Sequence, residues 1–209
     1  MNDPSETGGL SPSDAAAPSG APARRRWIPL LLILVAAVVF AIDQLVKNWV
    51  VRTLPEGETV PVLGGFLQWH FVRNSGAAFS FATGATWIFT LLAAAVVIVI
   101  LWQLRRLGSR SWALFFALLL GGVLGNLTDR LTRAPGFPIG HVIDFISTPW
   151  MWFGSGGGIY NVADMAIVSS MVIFVVISIL GLPIDGSPRR SRRSEASEGS
   201  DAGRPEAAS

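Results

Sequence analysis

The chain predicts an all-α membrane protein, a four-transmembrane-helix bundle with a small extracytoplasmic β element and a loop at its outer mouth. Three observations carry this. Of 209 residues, 51% are hydrophobic and only 14% charged, against about 25% charged in soluble domains. Mean hydropathy is +0.50. Four apolar segments, at about 27–46, 85–104, 111–127 and 162–182, each approach the roughly 20 residues a helix needs to cross a bilayer.

Residues 1–23 are rich in Ser, Pro, Ala, Gly and Asp and are expected to be a disordered tail. Arg24-Arg25-Arg26 then precede span one. A basic run before an apolar run also fits a signal peptide. No small-x-small cleavage pattern follows, however, and the polar Asp43 and Lys47 continue the helix, so it is read as a span. Between spans one and two, Val60-Pro61-Val62-Leu63, Gly64-Gly65 and Phe66-Leu67-Gln68-Trp69-His70-Phe71 read as a β-hairpin. Arg73-Asn74-Ser75-Gly76 leads into span two as a turn. Arg105, Arg106 and Arg110 fill the short link to span three. Gly121, Gly122 and Gly125 give that span a small-residue face for tight helix packing. After it, Phe145 to Trp152 is apolar and aromatic, and Gly154-Ser155-Gly156-Gly157-Gly158 supplies a flexible joint. That stretch reads equally as an interfacial anchor or as a lid. Residues 185–209, a run of Ser, Arg, Glu and Gly, form a second expected disordered tail, leaving 24–184 as the membrane domain.

Arginine counts set the orientation. Arg24 to Arg26, the 105–110 cluster, and Arg189, Arg190, Arg192 and Arg193 all flank one side, while the other side spreads fewer cations over longer loops. Positive charge stays inside, so both termini are expected in the cytoplasm, with Asp43, Asp129, Asp144 and Asp164 toward the outer face. The net charge of +2 and the clustering of arginines speak for topology, and no nucleic-acid partner is expected. With no cysteine, thiolate metal sites and cysteine nucleophiles are excluded. His70 and His141 without a His-Glu-x-x-His pattern argue against a zinc peptidase. No metal and no cofactor are expected.

The four aspartates carry the chemistry. An ionised carboxylate near the bilayer centre costs about 2.5–3.5 kcal/mol on insertion scales, so such residues face a bundle interior and act there. Asp43 has Lys47 one turn later, and Asp129 is followed by Arg130, which suggests two structural ion pairs. Asp144 and Asp164 have no cation beside them in sequence. Two such carboxylates in low dielectric can share one proton, the chemistry of an aspartic peptidase. Lys47, the only lysine, could instead pair with Ser75 in a serine peptidase, but a lysine beside Asp43 stays protonated and is a poor base. A small transporter or channel with an acidic outer cleft is the alternative from another class. A membrane anchor for a partner would not need these aspartates.

Five motifs occur in order: Asp43-Gln44-x-x-Lys47, Asn74-x-Gly76-x-Ala78-Phe79, Gly121-Gly122-x-x-Gly125-Asn126-x-x-Asp129-Arg130, Val142-Ile143-Asp144-Phe145 and Asn161-x-Ala163-Asp164. Together they resemble the bacterial lipoprotein signal peptidases, also called signal peptidase II, over about residues 27–182. The resemblance implies an aspartic endopeptidase of the bacterial cytoplasmic membrane. It would act as a monomer, cutting diacylglyceryl-modified prolipoproteins before the lipidated cysteine, with membrane lipid as its other partner. It implies Asp144 and Asp164 as the catalytic pair. Asp43, Lys47, Asn74, Gly122, Asn126, Asp129, Arg130, Asn161 and Ala163 would support them, the three asparagines positioning substrate backbone. Tyr160 stands where the family usually has Phe, and Met165 where it usually has a small residue; both departures concern packing around Asp164.

Overall fold

The computed structural model describes residues 27–76, 86–152 and 158–187. Most of both tails, the Ala78-Phe79 end of the second motif and Gly154 to Gly157 lie outside the described residues.

Four helices run antiparallel to their sequence neighbours: α1 (Trp27–Thr53), α2 (Thr86–Gln103), α3 (Arg110–Thr132) and α4 (Val162–Ile179). All four are long and apolar enough to cross a membrane. The apolar residues of α1 and α4 that remain exposed, such as Leu30, Leu34, Val168 and Ile179, need no burial against protein when lipid is the surrounding solvent. Two helices are longer than their hydropathy suggests. α1 runs on to Thr53 and α3 to Thr132, because their polar ends are buried against each other and not cut off by water.

α3 is the central helix and packs against α1, α2 and α4. Its glycines make this possible. A Cβ on Gly121 would lie 2.7 Å from Val39 Cβ, and one on Gly122 would lie 2.5 Å from the Ala163 carbonyl oxygen. One on Gly125 would lie 2.5 Å from an Asp43 carboxylate oxygen. The small-residue face thus lets α1 and α4 approach closely, and brings Asp43 and Ala163 to the same level of α3. At the arginine end, Ile28, Leu32, Ile100, Leu107, Phe116 and Ile177 form the core.

At the opposite end sits a four-stranded antiparallel sheet in sequence order: β1 (Thr59–Pro61), β2 (Gln68–Asn74), β3 (Val142–Ser147) and β4 (Ile159–Tyr160). The expected hairpin is there, with its first strand ending earlier, at Pro61, its second running on to Asn74, and a wider turn between them. β3 and β4 were not expected. The stretch read as a loop from Phe145 begins inside a strand, and Ile143, Phe145 and Ile146 are core residues with Val50 and Phe71. The apolar run reads as a loop by sequence because β3 is buried on both faces and shows no period-two alternation. Among the described residues of this stretch, the chain leaves the sheet after Ser147 and forms a 3-10 turn at Pro149–Trp152. There Trp150 stacks on Phe66 of the hairpin turn, ring centroids 5.0 Å apart.

Candidate active site

All four aspartates gather where α1, α3 and the start of α4 meet β3. Asp144 is carried by β3 and is 2% exposed. Its cross-strand partner is Val72, while Asn74 pairs with Val142. Paired residues share a face, so Asn74 and Asp144 are diagonal neighbours on one side of the sheet. A register shift between Trp69 and Val72 produces this. Without that extra residue the alternation of β2 would turn Asn74 to the other face.

Asp164 is held by the helix it belongs to. Asn161 caps α4: its Oδ1 accepts from the Asp164 backbone N–H at 2.9 Å, and the Asp164 Oδ2 accepts from the Asn161 backbone N–H at 3.1 Å. This is a reciprocal capping box with Asp in place of the usual Glu or Gln. The spacing Asn161-x-x-Asp164 was the sequence signal for it, and sequence reasoning passed over it.

The asparagines tie the two carboxylates together. Asn161 Nδ2 donates to Asp144 Oδ1 at 2.6 Å, so one side chain touches both aspartates. Asn74 Nδ2 donates to Asp144 Oδ2 at 2.8 Å, while its Oδ1 accepts from the Gly76 N–H at 2.7 Å. Asn126 Nδ2 donates to Asp164 Oδ1 at 2.8 Å. In the fold these amides orient the two carboxylates, because a buried amide takes a strong acceptor within reach. Asn74 and Asn126 each use one Nδ2 proton in this way and keep the second.

Lys47 lies beneath. Its ammonium is 2.8 Å from each of Asp43 Oδ2, Asp129 Oδ2 and Asn126 Oδ1, which occupies all three of its protons. Such a lysine has no lone pair to offer, which disposes of the Ser75–Lys47 dyad. Asp43 also accepts from the Ala163 backbone N–H at 2.9 Å, and Asp129 from the Ile143 N–H at 3.2 Å. The buried ion pair thus joins α1 to α4 and α3 to β3.

The second expected pair is not formed. Asp129 bonds Lys47 and Arg133, not Arg130. Consecutive residues on a helix point about 100° apart, whereas Arg133 is one turn on, on the same face. Arg130 is 8% exposed and lies over the Phe89 ring, 5.3 Å from its centroid. It stands within electrostatic reach of Asp144 and Asp164. A Cβ on Gly76 (φ +88°) would come 3.4 Å from Arg130 Nη2 and 2.8 Å from Phe89 Cδ2, so the end of β2 closes over this guanidinium only as glycine.

Charge then balances in a specific way. Lys47, Arg130 and Arg133 face Asp43, Asp129, Asp144 and Asp164. Three cations against four carboxylates leave the cluster neutral when Asp144 and Asp164 share one proton. Burial pushes the Asp144 carboxyl up to about 7, and the negative charge of Asp164 pushes in the same direction, against the amide hydrogen bonds and Lys47. A carboxyl that keeps a proton near neutral pH beside a second carboxylate has the ingredients of acid–base hydrolysis.

Comparison with known proteins follows the same line. A family model for signal peptidase (SPase) II matches residues 35–180. The chain is 47% identical over 174 residues to the lipoprotein signal peptidase of Leifsonia xyli subsp. xyli, covering 83% of this chain and 78% of that protein. It is 45% identical over 185 residues to the lipoprotein signal peptidase of Mycobacterium avium, covering 88% and 97%. Among solved structures it is similar to a bacterial membrane enzyme determined by the in meso method at 1.9 Å resolution, with TM-score 0.61 and 27% identity over 70% of this chain and 90% of that one.

Proposed function

The chain belongs to the signal peptidase II family, and from that premise we propose that Asp144 and Asp164 together hydrolyse the signal-peptide bond of prolipoproteins. It is an aspartic peptidase. The alternative of a small transporter or channel finds no support in the family match, and the buried charges gather at one end of the bundle instead of lining its depth.

The carrying observation is the pair of carboxylates joined through Asn161, one on a strand and one at a helix start. In the reaction, the ionised member takes a proton from a water while the protonated member donates a hydrogen bond to the scissile carbonyl. The water oxygen adds to the carbonyl carbon. The proton taken from water then passes to the leaving nitrogen as the C–N bond breaks, giving a signal-peptide carboxylate and a free amine on the cysteine. Both sets of amide donors hold the carboxylates at fixed orientation, so little is spent on arranging them during the reaction. The shared proton belongs to the pair; the raised proton affinity of Asp144 supports its role as first acid.

The substrate carries diacylglycerol on that cysteine. α2 leans mainly on α3, which supports lateral entry beside α2 with the acyl chains remaining in lipid. The Pro149–Trp152 turn, resting on Phe66, covers the mouth as a loop over the site. The working enzyme is a monomer whose domain spans residues 24–184, with both termini in the cytoplasm and the dyad toward the outer face. The test is to incubate purified protein with a diacylated and a non-acylated precursor peptide. Cleavage before the cysteine of the diacylated one alone is expected. No cleavage of either refutes the reading, and equal cleavage refutes the role of the lipid.

A further inference from the structure

At the end of the bundle away from the aspartates, two arginines lie across two tryptophans. The Arg106 guanidinium sits 5.2 Å from the Trp102 ring centroid, and the Arg110 guanidinium 4.9 Å from that of Trp27. The tryptophans are 57% and 43% exposed, as befits rings at a membrane–water boundary. Arg105 stands next to them, also exposed. Arg110 opens α3 and Asp129 lies in its last turn, which separates the two sites by roughly 28 Å at 1.5 Å per residue.

None of these three arginines has a carboxylate partner among the described residues, whereas Arg73 and Arg133 both do. Asp185, whose backbone lies against Gly108 between Arg106 and Arg110, accepts from the Ser187 N–H at 3.0 Å. A guanidinium held over an indole face, with no carboxylate on it, keeps N–H donors available for a ligand. The planar N–H fork of a guanidinium fits two oxygens of a phosphate. The aromatic support also fixes side chains that would otherwise lose rotamer freedom on binding.

We propose that Arg106 and Arg110, each laid across an exposed tryptophan, bind the phosphodiester of an anionic phospholipid in the leaflet at the arginine end. The site lies outside the catalytic cluster and asks only for a phosphodiester with net negative charge. A zwitterionic headgroup brings its own cation into the same space and is repelled. The exposed tryptophans select a ligand whose chains run beside α1 and α2, in lipid.

The test uses the full-length chain in nanodiscs of equal parts phosphatidylcholine and phosphatidylglycerol, released and counted by native mass spectrometry. Phosphatidylglycerol should be retained in preference. At about 1 kcal/mol per arginine, the double variant Arg106→Gln/Arg110→Gln should lose roughly thirtyfold in that preference. Arg106→Lys/Arg110→Lys keeps the charge that orients the chain but not the planar fork. It should keep that charge contribution and lose only the part of the preference that the fork supplies, and it decides the matter if the Gln variant fails to fold. Arg52→Gln, at the other end, should change nothing. Equal retention of the two lipids by the wild type overturns the proposal, as does unchanged preference in the Lys variant. So does displacement by an equal concentration of free glycerol phosphate, which would mark a site for soluble phosphate.

Discussion

Replacing Asp144 by Asn should stop turnover and yet make the protein more stable in neutral to alkaline buffer. The Asp144 carboxyl is buried and its proton affinity is raised from the ordinary 3.8 to about 7. The native state therefore holds this proton over a pH range in which the unfolded chain has lost it. Stability fully present below about pH 4 is lost as pH rises to about 7, by about 4 kcal/mol at 1.4 kcal/mol per pKa unit. Asn cannot ionise, so the variant escapes this loss. Against it stands the Asn74 Nδ2, which donates to Asp144 Oδ2 and would then meet an amide nitrogen or lose its partner, a cost of about 1–2 kcal/mol. A net gain of about 2–3 kcal/mol at pH 8 follows, turning into a deficit of about 1–2 kcal/mol at pH 4. The assay is equilibrium or thermal unfolding in one detergent, wild type beside Asp144→Asn, from pH 4 to pH 8, with cleavage of a diacylated precursor measured on the same preparations. A stability difference that stays flat across that range would refute the argument, because it would mean that Asp144 ionises as easily in the fold as out of it.

Asp164→Asn should also abolish cleavage with the protein still folded, at a cost of about 1 kcal/mol from the altered α4 cap; appreciable turnover would remove Asp164 from the chemistry. Lys47→Met leaves Asp43 and Asp129 buried without their shared cation, so about 3–5 kcal/mol of stability should go, read as a lower unfolding midpoint, and a variant as stable as wild type would sink the account of the network. Gly125→Ala pushes a methyl to 2.5 Å from the Asp43 carboxylate; about 1–3 kcal/mol of stability should be lost together with most activity, checked by unfolding and precursor cleavage in parallel. Turnover by the wild type should decline as pH rises past about 7, where the proton on Asp144 leaves; a pH–rate profile that stays level to pH 9 would contradict this.

Much of the molecule is legible in its residues. Spans are visible because each helix must satisfy its own backbone in lipid and so needs a continuous apolar run near 20 residues. The charged intramembrane residues stand out for the same reason: Asp43, Lys47, Asp129 and Asp164 cost too much to be idle. Even the close approach of α1 and α4 to α3 was announced by Gly121, Gly122 and Gly125. Partnership was not legible. Asp129 is next to Arg130 in sequence, but helix geometry turns it to Arg133 and tertiary packing gives it Lys47 from another helix. The three asparagines read as ligands for substrate, and only the fold shows their amides bound to the carboxylates. β3 was hidden because a strand buried on both faces loses its alternation. The last decision was the smallest: one extra residue in β2, between Trp69 and Val72, turns Asn74 to the side of Asp144. Side chains along a strand alternate with a period of two, so a bulge of one residue reverses every face beyond it, and local sequence carries no sign of which strand will lie opposite.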